Sequence, residues 1–172
     1  MNRSERLAQL RTRSDFLGAQ SVLLITREPP PPPPPTPGQP PFIASNPHEG
    51  AEILLAVWDD GTALGLNGHV DLGTGIRTAL GQIVAEELDL TVEQVDMVLG
   101  DTGRAPNQGP TIASASIQIS AVPLRQAAAQ ARAWLLAEAV KRLQVTADQL
   151  SVDAGRVSVS GDAARSVDYG EL

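Results

Sequence analysis

The chain has 172 residues, a formal net charge of -7 and no cysteine. That length supports one domain of ordinary size with a self-sufficient core. The lack of cysteine excludes a disulfide framework and any cysteine-ligated zinc or iron–sulfur centre within this chain. The acidic balance argues against nonspecific nucleic-acid binding, which needs clustered Lys and Arg, and no apolar run is long enough to span a bilayer.

Three regions follow in chain order. Residues 1–27 form a basic N-terminal segment carrying Arg3, Arg6, Arg11 and Arg13, with a short apolar stretch from Val22 to Ile25. Residues 28–47 are proline-rich, with an unbroken run from Pro29 to Pro35 and then Pro37, Pro40 and Pro41. Proline fixes φ and lacks an N–H, so this stretch is expected to be extended polyproline II. It reads as a stiff linker or a strap across a neighbouring subunit, or else as a ligand for a polyproline-reading domain. Residues 48–172 carry the folded pattern.

Within that third region, Ile53 to Trp58 is an apolar run of strand length, and Asp59-Asp60-Gly61 signals a turn. Leu64, Leu66, Val70 and Leu72 then alternate with Asn67, His69 and Asp71, which predicts a second strand paired to the first as a hairpin. Apolar residues recur at helical spacing from Ile76 to Leu88, predicting a helix from about Arg77. Val95, Met97 and Leu99 predict a third strand. Gly100 to Ser116 has no period and reads as a long loop. A long Ala-rich helix is expected from Ala121 to Leu143, with Leu124, Ala128, Ala131, Leu135 and Ala139 on one face and Pro123 in its first turn. Thr146 to Leu150 adds a helical turn, and Val157 and Val159 lie on a short strand after the turn Asp153-Ala154-Gly155. The order predicts an α+β fold, a mostly antiparallel sheet with helices packed on one face, preceded by an extended Pro-rich N-terminal segment.

Two segments are candidates for chemistry. In Leu72-Gly73-Thr74-Gly75-Ile76-Arg77-Thr78, glycines permit a tight turn and close approach of a ligand. The N-terminus of the following helix offers N–H groups and a positive dipole end suited to a phosphate. Alternatively the glycines only satisfy positive φ. The polar loop 100–116 abuts a helix start and offers Ser114 and Ser116 hydroxyls, or is an ordinary surface loop with a helix cap. Glu86, Glu87 and Asp101 read as solvated charges, and His69 sits on the polar strand face. A nicotinamide-dinucleotide fingerprint is only approached by Gly73-x-Gly75-x-x-Thr78, and the hairpin expected before it disfavours that fold.

Three ordered stretches, Gly68 to Leu88 (with His69-Val70-Asp71-Leu72-Gly73-Thr74-Gly75-Ile76-Arg77-Thr78 at its start), Gly100-Asp101-Thr102 and Pro110 to Ser116, together resemble the molybdopterin-binding large subunit of the xanthine dehydrogenase/aldehyde oxidase family. Within it they are similar to the nicotinate dehydrogenase and isoquinoline 1-oxidoreductase large subunits. The similarity covers roughly residues 50–172. The resemblance implies that Gly73, Thr74, Gly75, Ile76 and Thr78, with Ser114, Ala115 and Ser116, contact a molybdopterin cytosine dinucleotide with molybdenum, bound jointly with the rest of the large subunit. The family's first motif usually reads Gly-Gln-Gly, and Thr74 stands here at the middle position. The family's catalytic glutamate lies near the end of a much longer chain, so no catalytic residue and no metal ligand are assigned here.

The resemblance further implies part of a molybdenum hydroxylase, inactive alone, that hydroxylates an N-heteroaromatic, nicotinate-like substrate with water as oxygen source. Its partners would be the remaining large-subunit polypeptide, an iron–sulfur subunit, and a cytochrome or other electron acceptor. Arg13-Ser14-Asp15-Phe16-Leu17 resembles a degenerate twin-arginine export signal lacking its second arginine. It is read as a remnant, placing the protein in the cytoplasm or at the periphery of a bacterial inner membrane. The competing reading is a noncatalytic assembly or binding module of the same fold.

Overall fold

The structure is a computed structural model that describes residues 3–29 and 50–172. The polyproline expectation for 29–41 falls almost wholly outside them. Two short helices, α1 (Arg3–Gln9) and α2 (Arg13–Leu17), precede strands β1 (Val22–Arg27), β2 (Glu52–Trp58) and β3 (Ala63–Asn67). Helix α3 (Ile76–Leu88), strand β4 (Val95–Leu99) and helix α4 (Ala121–Leu143) follow. Strands β5 (Leu150–Asp153), β6 (Arg156–Val159) and β7 (Asp162–Asp168) close the chain.

The main sheet has the order β1-β2-β3-β4, with the β1–β2 and β2–β3 pairs antiparallel and β4 parallel to β3. The second sheet, β5-β6-β7, is antiparallel throughout. The architecture is therefore the expected α+β fold, mostly antiparallel. Three local differences stand out. The second strand ends at Asn67, and residues 68–75 form a loop where the alternation predicts more strand. The third strand lies parallel to β3, so β3–α3–β4 is a crossover unit. The turn at Ala154 and Gly155, both at positive φ, joins β5 to β6 as a tight hairpin.

All seven residues of β2 are buried, which explains its continuous apolar run. Both of its edges are paired and both of its faces are covered. Helices α3 and α4 pack on one face around Leu55, Val57, Leu80, Leu88, Leu124 and Leu135. Buried Ala127, Ala128, Ala131 and Ala139 keep the α4 surface low enough for close packing. The opposite face is closed by the N-terminal segment, whose Leu10 and Phe16 pack with Ile53, Trp58, Leu64 and Leu66. At the register shift in β1–β2, Ile25 and Thr26 face Leu55 and Ile53, leaving Leu54 as an extra residue. That bulge breaks the period of two and puts adjacent Leu54 and Leu55 in the same core.

Candidate functional site

Strands β3 and β4 end side by side, and the two glycine-bearing segments leave from those ends. In parallel units, ligand sites gather beyond the carboxyl ends of the strands. Gly100 N–H donates to Asn67 O at 3.0 Å, and Gly68 N–H to Gln108 Oε1 at 2.7 Å. Val70 N–H donates to Thr111 Oγ1 at 3.0 Å. Residues 68–75 and 100–116 are thus stitched together. The contact is close enough that a Cβ on Gly68 would lie 2.2 Å from Pro106 O, and one on Gly100 2.2 Å from Val70 Cγ1.

Beneath the loops lies a buried polar cluster. His69 is 1% exposed, with Nδ1 2.8 Å from Ser116 Oγ and Nε2 2.9 Å from Ser120 Oγ. Ser120 O accepts from Asn67 Nδ2 at 2.9 Å and from Gln108 Nε2 at 2.8 Å. Ser116 and Ser120 are the ends of a π-helical stretch, Ser116–Ser120, that leads into α4. Pro123 explains the widening: it has no N–H for the carbonyl of Ile119, and its ring crowds that carbonyl in an α-helical turn. Four residues apart on this stretch, both serines meet the same imidazole.

Of the serine segment, only Ser114 presents its side chain to solvent; Ser116 is turned inward onto His69, and Ala115 N–H donates to Ile112 O at 3.0 Å. Ala113 and Ser114 hold φ of 53° and 55°, an uncommon conformation for residues with a Cβ. Gly73, Thr74, Gly75 and Thr78 are exposed, while Ile76 is buried and can offer a ligand only its backbone. Gly73 (φ 87°) and Gly75 (φ 76°) have open space where a Cβ would stand.

Alternation alone makes Asp71 one more residue of a polar strand face, yet it organises the loop. Its Oδ1 accepts N–H from Gly73 at 2.9 Å, Thr74 at 3.0 Å and Gly75 at 3.2 Å, and its Oδ2 accepts from Arg77 at 3.2 Å. The Arg77 N–H above all, and the three loop N–H groups with it, hold this carboxyl below the usual carboxylate range. An aspartate two residues before a glycine is the sequence signal for such a turn. Asp101 is likewise an internal turn residue. The Arg104 side chain, with N–H groups of Gly103 and Arg104, lowers its pKa. Arg104 Nη2 lies 2.6 Å from Asp101 Oδ2. A cleft of about 530 Å³ runs along the free side of β4 and is lined by Arg77, Thr78, Asp101 and Arg104. Arg77 donates into it, to the carbonyl of Met97. Among the described residues no cluster of three or more His, Asp or Glu is placed to hold a metal ion, and no helix is long and apolar enough to cross a membrane.

Two glycine-bearing loops thus meet at the ends of parallel strands, a place where α/β units commonly bind ligands. Residues 36–172 match the molybdopterin cofactor-binding domain family, and the chain belongs to that family. It is 60% identical over 114 residues to a nicotinate dehydrogenase subunit of Pseudomonas putida, covering 66% of this chain and 10% of the relative. It is 38% identical over 111 residues to the beta subunit of the isoquinoline 1-oxidoreductase of Brevundimonas diminuta, covering 60% of this chain and 14% of the relative. The reconstituted CO dehydrogenase from Oligotropha carboxidovorans superposes with a TM-score of 0.59 at 25% identity, over 67% of this chain and 14% of that one. The chain thus spans about a tenth to a seventh of the relatives it matches. Matching across the xanthine dehydrogenases as well, at 36% identity over 66 residues for the Arabidopsis thaliana enzyme 1, agrees with the resemblance read from its motifs.

The residues fit a molybdopterin group in part. The open faces of Gly73 and Gly75 and the outward Thr74, Thr78 and Ser114 suit close approach by a polar group. The N–H groups of Gly73, Thr74, Gly75 and Arg77 do not suit its phosphate, because a carboxylate already holds them.

Proposed function

We propose that this chain forms part of the molybdopterin-binding subunit of a molybdenum hydroxylase acting on an N-heteroaromatic, nicotinate-like substrate. The observation that carries the reading is the stitched pair of loops at the ends of β3 and β4, in a chain 60% identical to a nicotinate dehydrogenase subunit. A bound molybdenum cofactor supplies the two-electron oxidation of the heteroaromatic carbon, with water as oxygen source. This chain's contribution is binding and orientation. Gly73, Thr74, Gly75 and Thr78, with the backbone of Ile76, from one loop and Ser114 and Ala115 from the other form its side of the cradle, and Ser116 supports it from beneath through His69. The cytosine dinucleotide form belongs to this proposal, as do the remaining large-subunit polypeptide, an iron–sulfur subunit and a cytochrome or other electron acceptor as partners. So does the division into an N-terminal segment (1–27), a Pro-rich linker (28–47) and a cofactor-binding region (48–172).

The test is to co-express the chain with its genomic neighbours, purify through this chain, and assay molybdenum and pterin. Near-stoichiometric molybdenum, lost when Gly73 and Gly75 are both replaced by leucine, is the expected result. A clean complex free of molybdenum and pterin overturns it and leaves a noncatalytic assembly module.

A further inference from the structure

Helix α3 carries an anion of its own. An α-helix begins with N–H groups that lack intrahelical partners, and successive N–H groups around a left-handed glycine form a concave anion site. Here the glycine conformations at 73 and 75 turn three successive N–H groups onto one oxygen of Asp71, and Arg77 N–H meets the other. A peptide N–H makes one good hydrogen bond, so four donors that could grip a phosphate are engaged. A phosphate entering the same concavity would meet a carboxylate of like charge at contact distance. The nicotinamide-dinucleotide reading fails on the same ground, although β3–α3–β4 does supply the parallel unit it needs.

We propose that Asp71 is a positioning residue that fills the anion nest formed by the N–H groups of Gly73, Thr74, Gly75 and Arg77, so that a dinucleotide's phosphates are not held by these four groups. What the loop offers a ligand is its outer rim: the bare Cα faces of Gly73 and Gly75 and the hydroxyls of Thr74 and Thr78. The carboxylate freezes that rim in its open shape before any ligand arrives, which lowers the ordering cost of binding. The assignment of the rim to a cofactor rests on the function proposed above; the internal anion does not.

The test uses the full chain, labelled with ¹⁵N, and follows the amide signals of Gly73, Thr74, Gly75 and Arg77. Inorganic pyrophosphate at neutral pH is expected to leave them unmoved in the wild-type chain. In Asp71→Ala the freed amides are expected to shift saturably with pyrophosphate. In Asp71→Asn, which keeps an acceptor oxygen, the loop signals are expected to stay near their wild-type positions. On the wild-type chain alone, the four amides should titrate together, with one midpoint below the usual carboxylate range, as the pH is lowered. That measurement stands even where Asp71→Ala fails to fold. Saturable pyrophosphate shifts in the wild-type chain, or four amides that do not follow a common acid midpoint, overturn the proposal. Molybdenum in the co-expressed complex reports separately on the cofactor reading. A metal-free complex with the amide titration intact sinks that reading alone, and a metal-loaded complex whose wild-type amides take pyrophosphate sinks this one alone.

Discussion

His69 shows how much a single buried side chain can hold. Both ring nitrogens sit on serine hydroxyls, and its backbone N–H donates to Asn67 Oδ1 at 3.0 Å. His69→Ala would leave buried hydroxyls without partners, at about 1–3 kcal/mol for each such group. The expected outcome is a free energy of urea unfolding lowered by that amount, seen as a lower midpoint with an unchanged slope. His69→Gln, which can reach one serine, should recover part of the loss. Glu52 is the second such residue. It is fully buried at the root of the proline-rich connection, 2.8 Å from Arg27 Nε and accepting Asn107 N–H at 2.7 Å. Glu52→Ala breaks a buried pair, and because Arg27 retains some exposure the loss should fall toward the lower end of roughly 3–5 kcal/mol. Thermal unfolding of the full chain would measure it. Neither role was legible in the sequence. His69 alternates as a polar strand residue should, and only the end of β3 at Asn67 turns it inward. Glu52 looks like a charge before a strand until the Arg27 partner across β1–β2 is seen.

At the scale of elements, periodicity carried α3, α4, β2 and β4, because each has a long enough apolar pattern and buries it. Helix α4 spans Ala121–Leu143 as expected from its alanine-lined face. The strand expected to reach Leu72 stops at Asn67 because Gly68 must pass against Pro106 O, where a Cβ would stand 2.2 Å away. A glycine at φ < 0 reads in sequence as flexibility, and the tight neighbour that makes it necessary is 38 residues further along the chain. Substituting these glycines should separate the two kinds of constraint. Gly68→Ala clashes with backbone and should destabilise by about 3 kcal/mol or more, since overpacking of this kind has no flexible side chain to yield. Gly73→Ala has open space and only the φ of 87° against it, so about 1–2 kcal/mol is expected. Chemical denaturation of the two variants side by side tests the ranking, and an equal effect would contradict the geometry.

On the scale of the whole molecule, the N-terminal segment is a layer of the fold. Its strand is short and its helices shorter, so the sequence showed a basic tail with a signal-like Arg13-Ser14-Asp15-Phe16-Leu17. In the structure Phe16 is fully buried, 6.4 Å from the Trp58 ring, and Thr12 and Asp15 cap α2 reciprocally. Arg6 stacks over Trp58 at 4.7 Å and is ion-paired with Asp60. Burial pushes the Asp60 carboxyl upward, but Arg6 and the hydroxyl and N–H of Thr62 outweigh it, and Asp60 titrates at about 2. A carboxyl whose folded pKa is depressed contributes stability that is present above its unfolded value, here 3.8, and that is lost as the pH falls through about 2. Because the Asp60 side chain is 40% exposed, solvent screening limits the contribution to about 1 kcal/mol or less. Protonation should loosen Arg6 from the Trp58 ring and lift this layer first. With Trp134→Phe leaving Trp58 as the sole reporter, its emission should change between pH 3.8 and 2 ahead of the loss of helical circular dichroism. Asp60→Asn should show the loosened emission already at neutral pH and lose that acid step. An emission change that coincides with global unfolding in both chains would mean the N-terminal layer and the sheet are one cooperative unit, with Arg6–Asp60 adding nothing separable.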